Sequence, residues 1–225
     1  MTRTGHRQDF EKARYDMVSR QLEQRGITNP DVLAAMADVP RHSFVSVEYE
    51  KLAYKDSPLP IGCGQTISQP YIVAFMLQSL RLNTPRQAIV LEVGTGLGYQ
   101  AAVLSRFVKH VYTVERIPEL AVQARQNLQA LNYNNITVCQ GDGGYGWPKH
   151  APYDGIVVAA AAPEIPPPLV TQLKPDASLI IPVGIQGNQK LERVTAVGST
   201  IHRRVLVPVA FVPLVGEHGA REQWY

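Results

Sequence analysis

A glycine-rich segment between a predicted strand and a predicted helix is the part of the sequence best suited to chemistry. Residues 91–99 read Leu-Glu-Val-Gly-Thr-Gly-Leu-Gly-Tyr, which places Gly94, Gly96 and Gly98 at the turn. Glycine lets the backbone turn sharply and approach a ligand closely. The first N–H groups of the following helix have no partner within the helix and can bind a negatively charged group. The segment therefore predicts a ligand-binding loop.

Two acidic residues follow at spacings that suit the same site. Glu115 ends the next predicted strand about 20 residues after the turn, where a ribose-binding carboxylate is expected, and Asp142 follows the third strand. Ligands of open α/β sheets bind at the carboxyl ends of the strands, so the loop and both acids should lie together. The sequence does not match the pattern of a dinucleotide site, G-x-G-x-x-G, because Tyr99 stands where the third glycine is required.

Each of these residues also has a purely structural interpretation. The three glycines can form a tight connection between strand and helix without any ligand. Glu115 can be a solvated strand end, and Asp142 can close a turn through its own side chain. The residues alone leave these alternatives open.

The elements that must hold this loop alternate between strand and helix from residue 88 onward, which is typical of a parallel α/β sheet. The patterns predict strands at 89–93, 111–115, 136–139, 155–159 and 178–183, and helices at 99–107, 119–131 and 169–173. Two final strands, 191–197 and 204–214, flank a short turn and predict a terminal antiparallel hairpin.

The first 87 residues have a different pattern, with helices predicted over 9–25, 30–39 and 71–82. The first helix is expected to end at Gly26, and Asn29 with Pro30 suits the start of the second. Residues 54–70 are rich in proline and glycine and predict a loop. We expect one domain over residues 1–225, in which 1–87 form helices and a lid and 88–225 form the ligand-binding sheet.

Composition and charge narrow the functional classes. With 45% hydrophobic and 18% charged residues, the chain is typical of globular proteins and unlike disordered ones. The net charge of +3 is far from the dense basic footprint of nucleic-acid-binding proteins. An amphipathic helix is predicted where a secretory apolar segment would lie, and no apolar run approaches the ~20 residues of a membrane span. Cys63 and Cys139 lack metal or disulfide spacing, which favours a reducing, cytoplasmic location.

The loop and the acids resemble the first motifs of the class I S-adenosylmethionine-dependent methyltransferases. This resemblance implies a three-layer Rossmann-like fold with a mostly parallel sheet, a C-terminal antiparallel hairpin and an N-terminal helical extension. It implies S-adenosyl-L-methionine as cofactor and S-adenosyl-L-homocysteine as product. Glu115 would accept both ribose hydroxyls, and Asp142 would lie beside the adenine. The cofactor residues implied in this half of the chain are Glu92, Gly94, Thr95, Gly96, Glu115, Arg116, Asp142 and Gly143.

The segment before the sheet narrows the resemblance to one family. Residues 65–70, Gln-Thr-Ile-Ser-Gln-Pro, closely resemble the signature of the protein-L-isoaspartate(D-aspartate) O-methyltransferases. The family's motif implies that Ser68 is catalytic and that Thr66 contacts the cofactor. Gln223, in a C-terminal Gln-Trp pair similar to one in eukaryotic members, is expected to reach the cofactor or substrate. A serine just before Gln-Pro also suits a helix cap, so a structural role for Ser68 stays open.

The resemblance implies methyl transfer to the free α-carboxylate of L-isoaspartyl, and of D-aspartyl, residues in damaged proteins, whose ester then cyclises to a succinimide. Damaged proteins and peptides would be the partners of a monomeric enzyme, without nucleic acid, membrane or metal. A carboxylate with a pKa of about 4 is already ionised at neutral pH, so its attack on the methyl group needs no general base.

Other functions remain open on the residues alone. A methyltransferase of the same fold that acts on a small molecule or RNA would have a segment unlike 65–70, and an RNA enzyme would have a denser basic surface. A binding module without activity would not need Ser68, Glu115 and Asp142 together. Residues 207–213 predict either a strand edge that pairs with an extended peptide or an edge strand guarded by proline.

Overall fold

The computed structural model describes residues 3–197 and 200–220, with side chains described from residue 9 onward. Its helices are α1 (Arg3–Asp16), α2 (Pro30–Asp38), α3 (Pro70–Ser79), α4 (Tyr99–Ser105), α5 (Pro118–Ala130) and α6 (Pro167–Thr171). Its strands are β1 (Leu59–Gly62), β2 (Gln65–Ile67), β3 (Ile89–Val93), β4 (His110–Glu115), β5 (Ile136–Gln140), β6 (Tyr153–Val158), β7 (Leu173–Ile185), β8 (Asn188–Val197) and β9 (Thr200–Val209).

Seven strands form one sheet in the order β5-β4-β3-β6-β7-β8-β9. The first five strands in this order, β5, β4, β3, β6 and β7, are parallel, and β8 is antiparallel to both of its neighbours. The predicted mostly parallel sheet with a terminal antiparallel hairpin is therefore confirmed. From β3 the chain continues to β4 on one side and later returns to β6 on the other. A crevice opens at such a change of direction, beyond the carboxyl ends of the two strands.

Two apolar cores cover the faces of the sheet. On one face, the sheet packs against the N-terminal helical segments, α2, α3 and α4, with Phe44, Met76 and Leu104 fully buried. On the other face, Leu169 of α6 and Tyr153 of β6 lie in the second core. The predicted three-layer arrangement is confirmed. In the part of the chain that the structure describes, no helix has the length and apolar composition to cross a membrane.

The N-terminal helical region is longer than predicted. The first helix starts at Arg3 rather than at residue 9 and continues from α1 through a π-helical stretch, Met17–Leu22, and a short 3₁₀ turn. It ends at Gly26, whose φ of 88° lies in the left-handed region that glycine adopts readily. Asn29 caps α2 as predicted, because its side-chain oxygen accepts the N–H of Val32 at 3.1 Å.

The proline-rich segment before α3 contains a small hairpin rather than an irregular loop. Strands β1 and β2 pair antiparallel around a turn at Gly62, Cys63 and Gly64, all three with positive φ. The next helix, predicted over 71–82, is α3 and ends at Ser79. The hairpin lies against the glycine loop, because a Cβ built at Gly96 would stand 3.1 Å from Cδ1 of Ile61.

The sequence predicts the last strand over 204–214, but β9 spans Thr200–Val209 and ends five residues earlier. Its partner β8 offers no residue beyond Asn188, so the ladder of backbone hydrogen bonds stops after Gln189 pairs with Val209. Beyond this point, the side chain of Gln189 makes the two hydrogen bonds to Phe211 that a neighbouring strand would otherwise make. Its oxygen accepts the Phe211 N–H at 2.6 Å, and its amide donates to the Phe211 carbonyl at 3.1 Å. The chain after β9 is thereby held close to the sheet.

We expect Gln189→Ala to lower the free energy of unfolding by about 1–3 kcal/mol, because both backbone groups of Phe211 lose their partner. Urea unfolding measures the change. Gln123→Ala is the matched control, since Gln123 is exposed and bonds only the side chain of Asn127 among the described residues. Equal stability of the two variants would contradict a clamping role for Gln189.

Candidate functional site

The carboxyl ends of β3, β4 and β6 meet at the crevice and bring their loops together. The Gly94 N–H bonds the Val114 carbonyl at 2.9 Å, and the Ala159 N–H bonds the Val93 carbonyl at 2.8 Å. The parallel ladder thus extends one residue past each strand. The glycine loop after β3 therefore lies between Glu115, which ends β4, and Ala159, which follows β6.

The glycine loop needs glycine for conformation and for space. Gly94 and Gly96 have φ values of 90° and 54°, which side chains with a Cβ adopt rarely. Gly98, with φ 96°, precedes α4 and packs on Leu128, 3.1 Å from where a Cβ would be. The interpretation as a tight connection is correct, and the same geometry leaves the loop's backbone open to a ligand.

Glu115 holds the glycine loop through its carboxylate. One oxygen accepts the Gly96 N–H at 2.8 Å, and the other accepts the N–H of Ile117 at 2.9 Å. The residue is 6% exposed, so the interpretation as a solvated strand end is wrong. Among the described residues neither oxygen has another partner, and a carboxylate oxygen can accept a second hydrogen bond, such as one from a hydroxyl.

Glu92 lies beneath the loop rather than in the crevice. It is fully buried, and a chain of hydrogen bonds, each 2.6 Å, joins its carboxyl through the Thr113 hydroxyl to the Thr95 hydroxyl. Burial, and to a smaller extent the nearby Glu115, raise the pKa of Glu92 to about 8, although hydrogen bonds with Thr113 and Gln100 act in the opposite direction. Glu92 is therefore protonated at neutral pH.

Asp142 also binds backbone rather than the crevice. One carboxylate oxygen accepts the Gly144 N–H at 2.8 Å and the other accepts the Glu217 N–H at 2.9 Å. The interpretation as a turn-closing residue is thus correct, and the second bond reaches the C-terminal segment. That segment also pairs with the chain after β6, through Ala161 N–H to the Val212 carbonyl and Leu214 N–H to the Ala161 carbonyl, both 2.8 Å.

A first cavity lies over the glycine loop, and most of the predicted site residues line it. They are Thr66, Ser68, Gly94, Thr95, Gly96, Glu115, Arg116 and Gly143. Glu92 and Asp142 are not among its lining residues. Gln223 lies outside the described residues.

A second cavity of about 540 Å³ lies between α3 and the chain at the end of β9. Its walls include Tyr71 and Ile72 on one side and residues 207–212 on the other. The sequence predicts that residues 207–213 form either a strand edge that pairs with a peptide or an edge strand guarded by proline. Both alternatives stay open, because β9 is the edge strand of the sheet and Pro208 is exposed within it. The residues that line both cavities are Thr66, Ser68, Ala159 and Val212. The cavities therefore meet at Ser68.

Ser68 does not cap α3. The capping position is Gln69, whose side chain makes no capping bond. Asp56 supplies the cap from a distance, because its Oδ1 accepts the Tyr71 N–H at 3.0 Å while its Oδ2 accepts from the Gln69 amide at 3.2 Å. The Ser68 hydroxyl makes no hydrogen bond to any residue that the structure describes. It is half-buried and available to a ligand.

Sequence reasoning missed several residues that shape the cavities. Tyr99 and Gln100 at the start of α4 line the first cavity, as do Ile61, Ile117 and Leu214. Ala159 has no reactive group, but its position just after β6, beside β3, is the signal that could have identified it. None of the groups of described residues combines three or more His, Cys, Asp or Glu in an arrangement that could hold a metal ion.

The first cavity fits the group that the sequence predicts. It combines a carboxylate at Glu115, which suits ribose hydroxyls, with a glycine backbone that admits close approach. A Cβ at Gly143 would overlap with Val93, so the backbone after β5 also approaches the crevice without a side chain. Apolar groups such as Ile117 and Leu120 offer a surface for an adenine ring.

Comparison with known proteins places the chain in one family. The family model described as protein-L-isoaspartate(D-aspartate) O-methyltransferase matches residues 12–219. Protein-L-isoaspartate O-methyltransferase 2 of Pelobacter propionicus is 56% identical over 205 residues, covering 90% of each chain. The protein-L-isoaspartate O-methyltransferase of Methanoregula boonei is 50% identical over 203 residues, covering 90% of this chain and 93% of its own.

Solved structures of the same description have the same fold. One protein-L-isoaspartate O-methyltransferase has a TM-score of 0.83 at 28% identity and covers 92% of this chain and 67% of its own. Another, described as such an enzyme from Plasmodium falciparum in complex with S-adenosyl-L-homocysteine, has a TM-score of 0.78 at 26% identity. It covers 90% of this chain and 98% of its own.

We expect Glu92→Gln to remove a pH dependence of stability. The folded pKa of Glu92, about 8, exceeds its ordinary value of 4.5, so folding takes up a proton between these values. The stabilisation is complete below the lower value and is lost as the pH rises through the upper one, by at most about 1.4 kcal/mol per pH unit.

Urea unfolding of both proteins at several pH values between about 5 and 8 tests this linkage. The free energy of unfolding of the wild type, minus that of Glu92→Gln, should fall steadily as the pH rises. The carbonyl of glutamine can still accept the Thr113 hydroxyl, so the variant keeps that contact. A difference that is constant with pH would contradict a buried, protonated Glu92.

Proposed function

The chain belongs to the protein-L-isoaspartate(D-aspartate) O-methyltransferase family, and from this premise we propose how its two cavities divide the reaction. The protein transfers a methyl group from S-adenosyl-L-methionine to the free α-carboxylate of isoaspartyl residues in damaged proteins. In the proposal, the cofactor occupies the first cavity and the isoaspartyl residue occupies the second. The observation that carries it is the set of residues that line both cavities, at Ser68.

Ser68 is the catalytic residue of this proposal. Its hydroxyl, which has no partner among the described residues, donates a hydrogen bond to the substrate carboxylate where the cavities meet. The carboxylate is ionised at neutral pH because its pKa lies near 4, so no side chain has to remove a proton. The cofactor, when bound, supplies an electrophilic methyl group on a sulfonium. The chain then contributes mainly alignment, since placing the reacting atoms about 3–3.5 Å apart is worth roughly 7–11 kcal/mol.

The predicted cofactor residues act in two ways in this proposal. Those that line the first cavity contact the cofactor, with Glu115 accepting the ribose hydroxyls beside its bonds to the loop; they are Thr66, Gly94, Thr95, Gly96, Glu115, Arg116 and Gly143. Glu92 and Asp142 act indirectly, by holding the glycine loop and the C-terminal segment. Gln223 stays a prediction.

We further propose a single methyltransferase domain over residues 1–225, active as a monomer in the cytoplasm and without nucleic acid. The single seven-stranded sheet supports one domain, and both cavities are lined by residues of one chain, which supports an active monomer. The modest net charge of +3 argues against a nucleic-acid partner. Cys63 and Cys139 are free thiols, as expected in a reducing compartment.

One assay tests the activity and its rivals. The protein is incubated with methyl-labelled cofactor and with matched peptides that contain isoaspartate or aspartate at one position. Base-labile label on the isoaspartyl peptide alone is the expected result. Label on neither peptide would refute the repair activity and favour another methyl acceptor or a binding module.

We expect Ser68→Ala to lower kcat/KM for an isoaspartyl peptide at least about tenfold, because a hydrogen bond to a charged group is worth about 1.5–3 kcal/mol. The melting temperature should change little, since the hydroxyl has no partner among the described residues. Steady-state kinetics and thermal unfolding measure the two effects. Ser46→Ala, at an exposed serine outside both cavities, is the control. Unchanged kinetics in Ser68→Ala would remove Ser68 from the reaction.

A further inference from the structure

The second cavity contains one charged side chain among the described residues that line it. Arg25, from the end of the first helical segment, joins Pro58, Tyr71 and Ile72 in the outer wall. The other lining residues are apolar, hydroxyl-bearing or amide-bearing, so the charge of Arg25 is not balanced within the cavity itself.

The guanidinium of Arg25 is held in a fixed plane. Its central carbon lies 3.7 Å from the centre of the Tyr71 ring, a stacked arrangement that arginine adopts favourably. Its Nη1 forms an ion pair with Oδ2 of Asp56. Arginine has five N–H donors, and the Nε and Nη2 groups of Arg25 have no partner among the described residues. Donors thus remain for a further acceptor.

Asp56 offsets the charge of Arg25 only in part. The Asp56 carboxylate also accepts the Gln69 amide and the Tyr71 N–H, and it lies at the N-terminus of the ten-residue helix α3. The positive end of the helix dipole and these donors share the negative charge of Asp56. Asp56 is not among the residues that line the second cavity, so a ligand there faces the cation.

Arg25 stands apart from the reacting atoms. The reacting carboxylate must lie where the cavities meet, at Thr66 and Ser68, and Arg25 lines the second cavity alone. Its natural partner is therefore a different anionic group of the same substrate. On a polypeptide, that group is the carboxylate of an aspartyl or glutamyl side chain near the damaged residue.

We propose that Arg25 is a specificity-determining residue that favours isoaspartyl sites flanked by acidic side chains. The inference rests on the proposed function, since it assigns the second cavity to the substrate. It names the substrate class within that activity: acidic segments are methylated in preference to basic ones. Ion pairing on a partly exposed arginine gives a moderate preference that weakens with salt.

The test compares three isoaspartyl peptides that differ only in the residues on either side of the isoaspartate, which are Glu, Gln or Lys. For the wild type at low salt, kcat/KM should be about fivefold higher with Glu than with Lys. Arg25→Gln should bring this ratio close to one, and Arg25→Lys should retain most of it. Because each ratio is taken within one variant, a general loss of activity cancels.

Arg20→Gln is the matched control, because Arg20 lies on the same helical segment, is exposed and lines neither cavity. It should keep the wild-type ratio. The inference is overturned if the wild type shows no preference, or if Arg25→Gln keeps the wild-type preference. No methylation of any peptide would instead overturn the proposed function, and the inference with it.

Discussion

The bond between the Glu115 carboxylate and the Gly96 N–H is the constraint on which the site depends. It ties the loop after β3 to the end of β4, and the second oxygen fixes the start of α5 through Ile117. A loop rich in glycine has many conformations to lose, and a buried acceptor selects one of them. The cavity over the loop, and the hairpin that packs on Gly96, take their places from that selection.

Three carboxylates near the two cavities bind backbone N–H groups rather than transfer protons. Glu115, Asp142 and Asp56 each accept at least one N–H from a loop or helix start. This use agrees with a reaction whose nucleophile is already ionised, since such chemistry depends on alignment. Acidic residues are free to act as anchors where no general base is required.

The strands next to the site were predictable because local patterns specify them. The sequence placed β3 at its observed bounds and β4 within one residue, so the glycine loop and Glu115 fell correctly at neighbouring strand ends. Side-chain direction was not predictable. Glu92 is adjacent to the loop in sequence, yet it points beneath it, toward Thr113. The clamp between Gln189 and Phe211 joins residues 22 apart and has no local signal, so the end of β9 was misplaced.

The placement of Arg25 has a consequence for how such an enzyme can diversify. In the proposed arrangement, the alignment of methyl group and carboxylate depends on Ser68 and on loops of the sheet, whereas Arg25 at the end of the first helical segment forms part of the outer wall of the second cavity. A mutation at Arg25 alters a helical end whose side chain bonds Asp56 and stacks on Tyr71, far from the glycine loop in sequence. In the proposed arrangement, a substitution at Arg25 therefore changes which damaged proteins are preferred and leaves the reacting groups as they are.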